Sequence, residues 1–283
     1  MTPDFMDTPT PVEISVVMPV GSVDEPLRTA LSHLQEQTTT ASWELVVGLN
    51  TVDIGDRARL EALLAEHSFS ARIIDATAVR SASYARNVAA AEAVGERLFF
   101  CDGDDEAEPD WLENLLRAHE PGTAIGGHLA EERLVVEGQE DWRPPATPGC
   151  LPSFLGAPYL VSANMAIWAD DFAAAGGFDQ DLIRGEDIDF AWKLSEHGVE
   201  LRYCPDAIIH YRHRAGLKSL IQQHYLYGRG MAQVLSRRQP PGIEQDGGSL
   251  MFKANGQRVE NQTPIHVLRR GAIAAGRLRG LLD

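Results

Sequence analysis

Four short apolar runs, at positions 13–20, 43–47, 71–74 and 97–101, alternate with stretches whose leucines and alanines recur at helical spacing. No other feature constrains the fold as strongly. A run that is apolar at consecutive positions has no polar face, so it suits a strand covered on both sides. The intervening stretches at 26–35, 57–67 and 83–94 have the length of crossover helices, and another follows at 109–119 behind Pro109. Repeated strand–helix units build a doubly wound, mostly parallel sheet flanked by helices. In such a sheet, ligands gather beyond the carboxyl ends of the strands.

The second half reads differently. Residues 121–160 are rich in Pro and Gly and form an excursion, with a strand pair expected at 123–128 and 133–136. Strand character returns at 163–168, a helix is expected at 186–197 closed by Gly198, and short strands at 200–203 and 207–210. A long amphipathic helix over 217–236, a loop over 239–263 and a basic helix over 264–280 complete the chain. The basic helix has two readings: packing on the acidic body or on a second copy in a homodimer, which is favoured, or lying on an anionic membrane.

Composition narrows the function classes. The 283 residues carry 41 acidic and 25 basic side chains, a net charge of −16, which repels phosphate backbones and argues against a nucleic-acid partner. Cys101, Cys150 and Cys204 show no metal-knuckle or disulfide spacing. Residues 1–11 read as a flexible, acidic, Pro-rich lead-in without the character of a signal peptide, and no run is long enough to span a bilayer. The expected location is cytoplasmic, or membrane-peripheral if residues 264–280 touch lipid. The sequon at Asn261 carries no role in that setting.

Chemistry concentrates in four places. The apolar strand at 97–101 ends in Asp102, Gly103, Asp104, Asp105 and Glu106. Carboxylates crowded at a strand end repel one another unless a hard cation such as Mg²⁺ or Mn²⁺ joins them. The plainer reading is an acidic turn capping the next helix. Glu186 and Asp187 open a helix behind Gly185. The helix dipole favours them there, and a carboxylate beside a metal–phosphate site can serve as a general base. His210 and His213 alternate with Arg212 and Arg214 after an apolar strand, which suits a metal ligand or a phosphate clamp as well as a basic surface stretch. Arg86 stands near a helix start, an anion site in one reading and an exposed arginine in the other. Trp142, Tyr159 and Trp168 are candidates to stack on a sugar or to fill the core.

Taken in order, the run ISVVMPV over 14–20, Ala85-Arg86-Asn87, Asp102-Gly103-Asp104-Asp105, Ala163-Asn164-Met165-Ala166-Ile167, Gly176-Gly177-Phe178-Asp179 and Gly185-Glu186-Asp187 resemble the family 2 glycosyltransferases of GT-A fold. The resemblance runs over about 12–215. It implies an α/β GT-A fold with a small antiparallel acceptor-side sheet and a C-terminal helical extension. It also implies a lead-in at 1–11, a nucleotide-sugar half at 12–120, an acceptor half at 121–216 and a helical extension at 217–283. The implied activity is metal-dependent, inverting transfer of a sugar from a nucleotide-diphospho-sugar donor. The acceptor would be a glycan, a lipid-linked sugar or a natural product. The resemblance gives Asp104 and His210 to a Mn²⁺ or Mg²⁺ ion, with His213 as the alternative to His210. Asp102 and Gly103 go to the donor, Asp102 by its ribose or sugar, Arg86 to the nucleotide, and Pro19, Val20 and Gly21 to the nucleobase; Asp187 is the general base on the acceptor hydroxyl and Glu186 positions the acceptor or the base. The family's usual acidic pair after the second strand is replaced by Gly48-Leu49-Asn50-Thr51-Val52-Asp53, where Asn50 or Asp53 would substitute. Three rivals are weaker. A haloacid-dehalogenase-like phosphatase would carry the Asp motif on its first strand. A sugar-nucleotide pyrophosphorylase would want a basic first loop. A degenerate binding protein would have lost some of the acidic set.

Overall fold

The computed structural model describes residues 12–241 and 264–282. The expected lead-in at 1–11, the sequon and nearly all of the loop at 239–263 lie outside the described residues. The chain runs β1 (Ile14–Val20), α1 (Glu25–Gln35), β2 (Trp43–Leu49), α2 (Asp56–Leu64), β3 (Ser70–Asp75), α3 (Ala82–Ala91), β4 (Arg97–Cys101), β5 (Glu106–Ala107), α4 (Trp111–Ala118) and β6 (Thr123–Ala130). Then follow β7 (Ser153–Phe154), β8 (Ala157–Pro158), β9 (Asn164–Trp168), α5 (Ala169–Ala174), α6 (Glu186–Glu196), β10 (Glu200–His210), α7 (Leu217–Arg237) and α8 (Pro264–Gly280).

One sheet organises the molecule, in the order β3-β2-β1-β4-β9-β6-β10-β5. From β3 to β4 every pairing is parallel, as the crossover helices require. Three of the apolar runs are buried on both faces: Ile14, Val16, Val17 and Met18 of β1, Leu45, Val46 and Val47 of β2, and Phe99 and Phe100 of β4; β3, at the sheet edge, is half-buried. β9 enters antiparallel between β4 and β6, while β10 returns parallel to β6. Asn164, on β9, anchors that insertion: its side chain accepts from the Trp111 indole (2.9 Å) and donates to the His128 and Ala207 carbonyls (3.0 and 2.9 Å).

Three local expectations change. Residues 133–136 form no strand; β6 finds its partners in β9 and β10 instead of in a hairpin. The small antiparallel sheet is β7–β8. The expected strands at 200–203 and 207–210 are one strand, β10, with an irregularity between Cys204 and Ile208. Proline at 205 and the polar residue at 206 interrupt the apolar pattern there, which hides the continuity.

The basic helix at 264–280 forms as α8 and lies along α7. The contact is made by glycines: a Cβ at Gly228 would stand 2.1 Å from the Ile273 carbonyl oxygen, and one at Gly276 would stand 1.9 Å from that of Tyr225. Among the described residues no helix is long and apolar enough to cross a membrane.

Candidate active site

β4 delivers Cys101 into the core and then releases Asp102, Gly103, Asp104 and Asp105 at its carboxyl end. One carboxylate oxygen from each of the three aspartates lies within 4.8 Å of the others. The turn is clamped from the segment that follows β10. The Arg212 amide donates to Asp105 Oδ1 (2.8 Å), and the Arg212 side chain donates to the Asp104 carbonyl (2.9 Å) and pairs with Glu106 (3.2 Å). Gly103 leaves just enough room above Leu27 and Val20, whose side-chain carbons lie 3.2 and 3.4 Å from where a Cβ would be.

Crowding sets the charge state. Desolvation within the cluster and the Asp102 charge push Asp104 up to about 6. Asp105 is buried beside Asp102 and Asp104, and burial with their charges holds it well above the ordinary aspartate value; its Oδ2 has no hydrogen-bond partner. Three oxygen donors this close, one of them buried and unsatisfied, fit a hard divalent cation.

The second acidic motif converges on the first. Gly185 takes a left-handed conformation (φ +89°) against Gly230 and Val234 of α7, so the chain turns sharply into α6 and sets Glu186 and Asp187 in its first turn. Asp187 accepts from the Ser162 amide (3.3 Å). Burial and the neighbouring Glu186 charge lift Asp187 to about 7, against the opposing pull of Arg86. Arg86 connects the two motifs. It lies buried on α3, donates to Asp102, and sits in the fields of Asp187 and Glu186. Burial works against its charge, yet the three carboxylates raise it above the ordinary arginine value. Its neighbour Asn87, which the sequence flagged only as part of a motif, exchanges two hydrogen bonds with the Phe178 backbone (2.7 and 2.9 Å). Gly177 (φ +63°) passes so close that a Cβ would stand 2.7 Å from Asn87 Oδ1.

Other expected residues go elsewhere. His210 does not join the aspartates: the antiparallel register of β10 with β5 sets it opposite Glu106, and its ring pairs with Glu108 at 2.5 Å. His213 pairs with Glu131 at 3.0 Å. The triad of carboxylates contains neither imidazole. Pro19, Val20 and Gly21 close β1 at the same sheet end, where the Val20 carbonyl accepts from the Asn50 amide (2.8 Å). The Asn50 side chain donates to the Ala76 and Val79 carbonyls, bracing the loop after β3. Asp53 is exposed and pairs with Arg59 at 2.6 Å. Both polar candidates for a nucleobase contact are thus engaged in local structure. Trp168 lies at the far end of β9, with the Arg97 guanidinium 4.2 Å from its ring centre.

Residues 15–147 match the family model described as glycosyl transferase family 2. A pre-mycofactocin glycosyltransferase of Mycobacterium tuberculosis is 33% identical over 185 residues, covering 59% of this chain and 38% of its own length. The succinoglycan biosynthesis protein ExoA of Rhizobium meliloti is 33% identical over 75 residues, covering 26% of this chain and 23% of its own. This chain thus spans well under half the length of either relative. Among solved structures, the mannosyltransferase PcManGT of Pyrobaculum calidifontis, in complex with GDP-Man and Mn²⁺, superposes with a TM-score of 0.64 at 17% identity, covering 95% of this chain and 74% of that one. Staphylococcus aureus TarS, residues 1–349 with UDP-GlcNAc, gives 0.58 at 18% identity, over 82% and 68%. These likenesses confirm the GT-A fold. Over residues 15–147, the chain is thus similar in sequence to glycosyl transferase family 2.

Proposed function

We propose that this chain transfers a sugar from a nucleotide-diphospho-sugar to an acceptor hydroxyl, by direct displacement with inversion. One observation carries the reading: two acidic motifs from opposite halves of the sheet face each other across the buried Arg86. Asp102, Asp104 and Asp105 would hold a Mg²⁺ or Mn²⁺ ion. Such an ion neutralises the charge that develops on a departing diphosphate. Asp187 would take the proton from the acceptor hydroxyl, since a carboxylate near 7 is matched to that task. Glu186 helps hold Asp187 in that range. The solved relative with GDP-Man and Mn²⁺ and the one with UDP-GlcNAc support a donor of this class.

The test is a set of thermal melts with UDP, GDP, dTDP, CDP and ADP, each with and without Mn²⁺. A ligand at 100 times its Kd stabilises by about 2.7 kcal/mol, a shift of several degrees. A Mn²⁺-dependent rise with one diphosphate, lost in Asp104→Asn, is the expected result. Shifts that ignore Mn²⁺, or that survive Asp104→Asn, would overturn the metal assignment. Uniform silence would overturn the donor class.

A further inference from the structure

Residues 137–143, α7 and α8 meet, and the loop is tied down from both helices. Gln139 Oε1 accepts from the Gly216 amide at 3.1 Å. The Arg143 guanidinium donates to the Arg214 carbonyl (3.0 Å) and to Gln223 Oε1 (3.4 Å). His266 Nε2 donates to the Asp141 carbonyl at 3.1 Å.

These ties carry two guanidinium groups into one half-buried place. Arg143 arrives from the loop and Arg269 from α8, near enough to feel each other's charge. Neither has a carboxylate partner among the described residues. The Glu131 carboxylate on that side is held by His213. Arg269 Nη1 is buried with no hydrogen-bond partner. His224, buried beneath them on α7, is pushed down to about 4 by burial and by the charges of Arg269 and Arg143, so it stays neutral. Arg86 and Arg238, by contrast, find carboxylates in Asp102 and Asp189, while Arg277 lies against Met231 and the Phe154 ring. Two like charges withdrawn from water without a counter-ion are costly, and a bound anion removes the cost. Planar guanidinium forks match the oxygens of a phosphate or carboxylate.

We propose that Arg143 and Arg269 form a subsite for an oxyanion group, a phosphate or a carboxylate, carried by the acceptor. The link to the acceptor rests on the transferase reading. Gln223, which touches Arg143, donates to the Tyr227 hydroxyl at 2.8 Å, and Tyr227 and Tyr159 both lie in the field of Asp187. An acceptor anchored at the arginines reaches the proposed base past these two phenols.

The experiment titrates sodium phosphate, and separately sodium acetate, into the full chain by calorimetry. It is done at constant ionic strength with a chelator present, so that no metal-held diphosphate site contributes. Saturable binding of one or both anions is expected, weakened about tenfold or more by Arg143→Gln or Arg269→Gln and abolished in the double variant. Phosphate alone or acetate alone names the group. Arg143→Lys and Arg269→Lys keep the charge but lose the fork; they carry the test if the double variant fails to fold, with partial weakening expected. Absence of saturable binding in the unmodified chain, or equal binding in folded variants, overturns the subsite. Anion binding without sugar transfer would sink the transferase reading and leave the subsite standing.

Discussion

Arg86 is one guanidinium held against three carboxylates, and the balance falls hardest on Asp187. In an unfolded chain an aspartate titrates near ~3.9. Here the folded carboxyl titrates at about 7. The folded state therefore holds this proton more tightly than the unfolded state. Its contribution to stability is complete below about pH 4 and is lost as the pH rises through about 7. Asp187→Asn is accordingly expected to melt at a higher temperature than the unmodified chain near ~pH 8, with the gain gone by ~pH 4. The same variant should abolish transfer, and transfer by the unmodified chain should fall as the pH drops through about 7. Melting curves across pH, read beside a transfer assay, check both halves. Equal melting temperatures near ~pH 8 would mean that the carboxylate is not under strain.

At the scale of elements, α8 is held to α7 by backbone contact rather than by large side chains. Ala272, Gly276 and Gly280 are buried at four-residue spacing and form the inner stripe. A methyl group at Gly276 has nowhere to go, with the Tyr225 carbonyl oxygen 1.9 Å from its position. Gly276→Ala should push the helices apart and cost about 1–3 kcal/mol. Limited proteolysis should then cut α8 faster while the sheet stays protected. An unchanged cleavage pattern would mean that α8 tolerates a shift. Because α8 brings Arg269 to Arg143, this variant should also weaken the anion binding proposed above.

The whole molecule separates its reactive end from its structural end. At the far end of the strands, buried Glu44 on β2 accepts from Ser15 on β1 (2.7 Å), from Arg72 on β3 (2.8 and 2.9 Å) and from the Val94 amide (3.1 Å). Burial alone would raise this carboxyl, but the Arg72, Ser15 and Val94 donors outweigh it and hold it below the ordinary glutamate value. Its contribution is therefore present at neutral pH and lost as the pH falls through that lowered value. Glu44→Ala should cost about 3 kcal/mol at neutral pH, because it strands Arg72 and the buried Ser15, and the penalty should shrink in acid. Denaturant melts at several pH values check the sign. Nucleotide binding at the opposite end should be unaffected.

Legibility follows the same division. The parallel half was readable because each strand is mostly apolar and each helix sits next to it in sequence. The antiparallel insertion of β9 and the unbroken β10 were not, because their pairings join distant segments. His210 shows the cost: its strand-end position in the sequence reveals neither the register with β5 nor the pairing of its ring with Glu108. Asn50 likewise looks free until the loop after β3 folds over it. Arg143 and Arg269 are far apart in the chain, and only the packing of α8 shows that they share a place.

Consecutive residues of α3 hold the two sides of the acidic site. Arg86 grips Asp102, and Asn87 grips the turn at Phe178 that leads toward α6. The two walls are therefore geared to one axle a single peptide unit wide. Under the proposed function, a donor that shifted Asp102 would load Arg86, and a shift of the Phe178 turn would load Asn87, so both would bear on the same turn of α3.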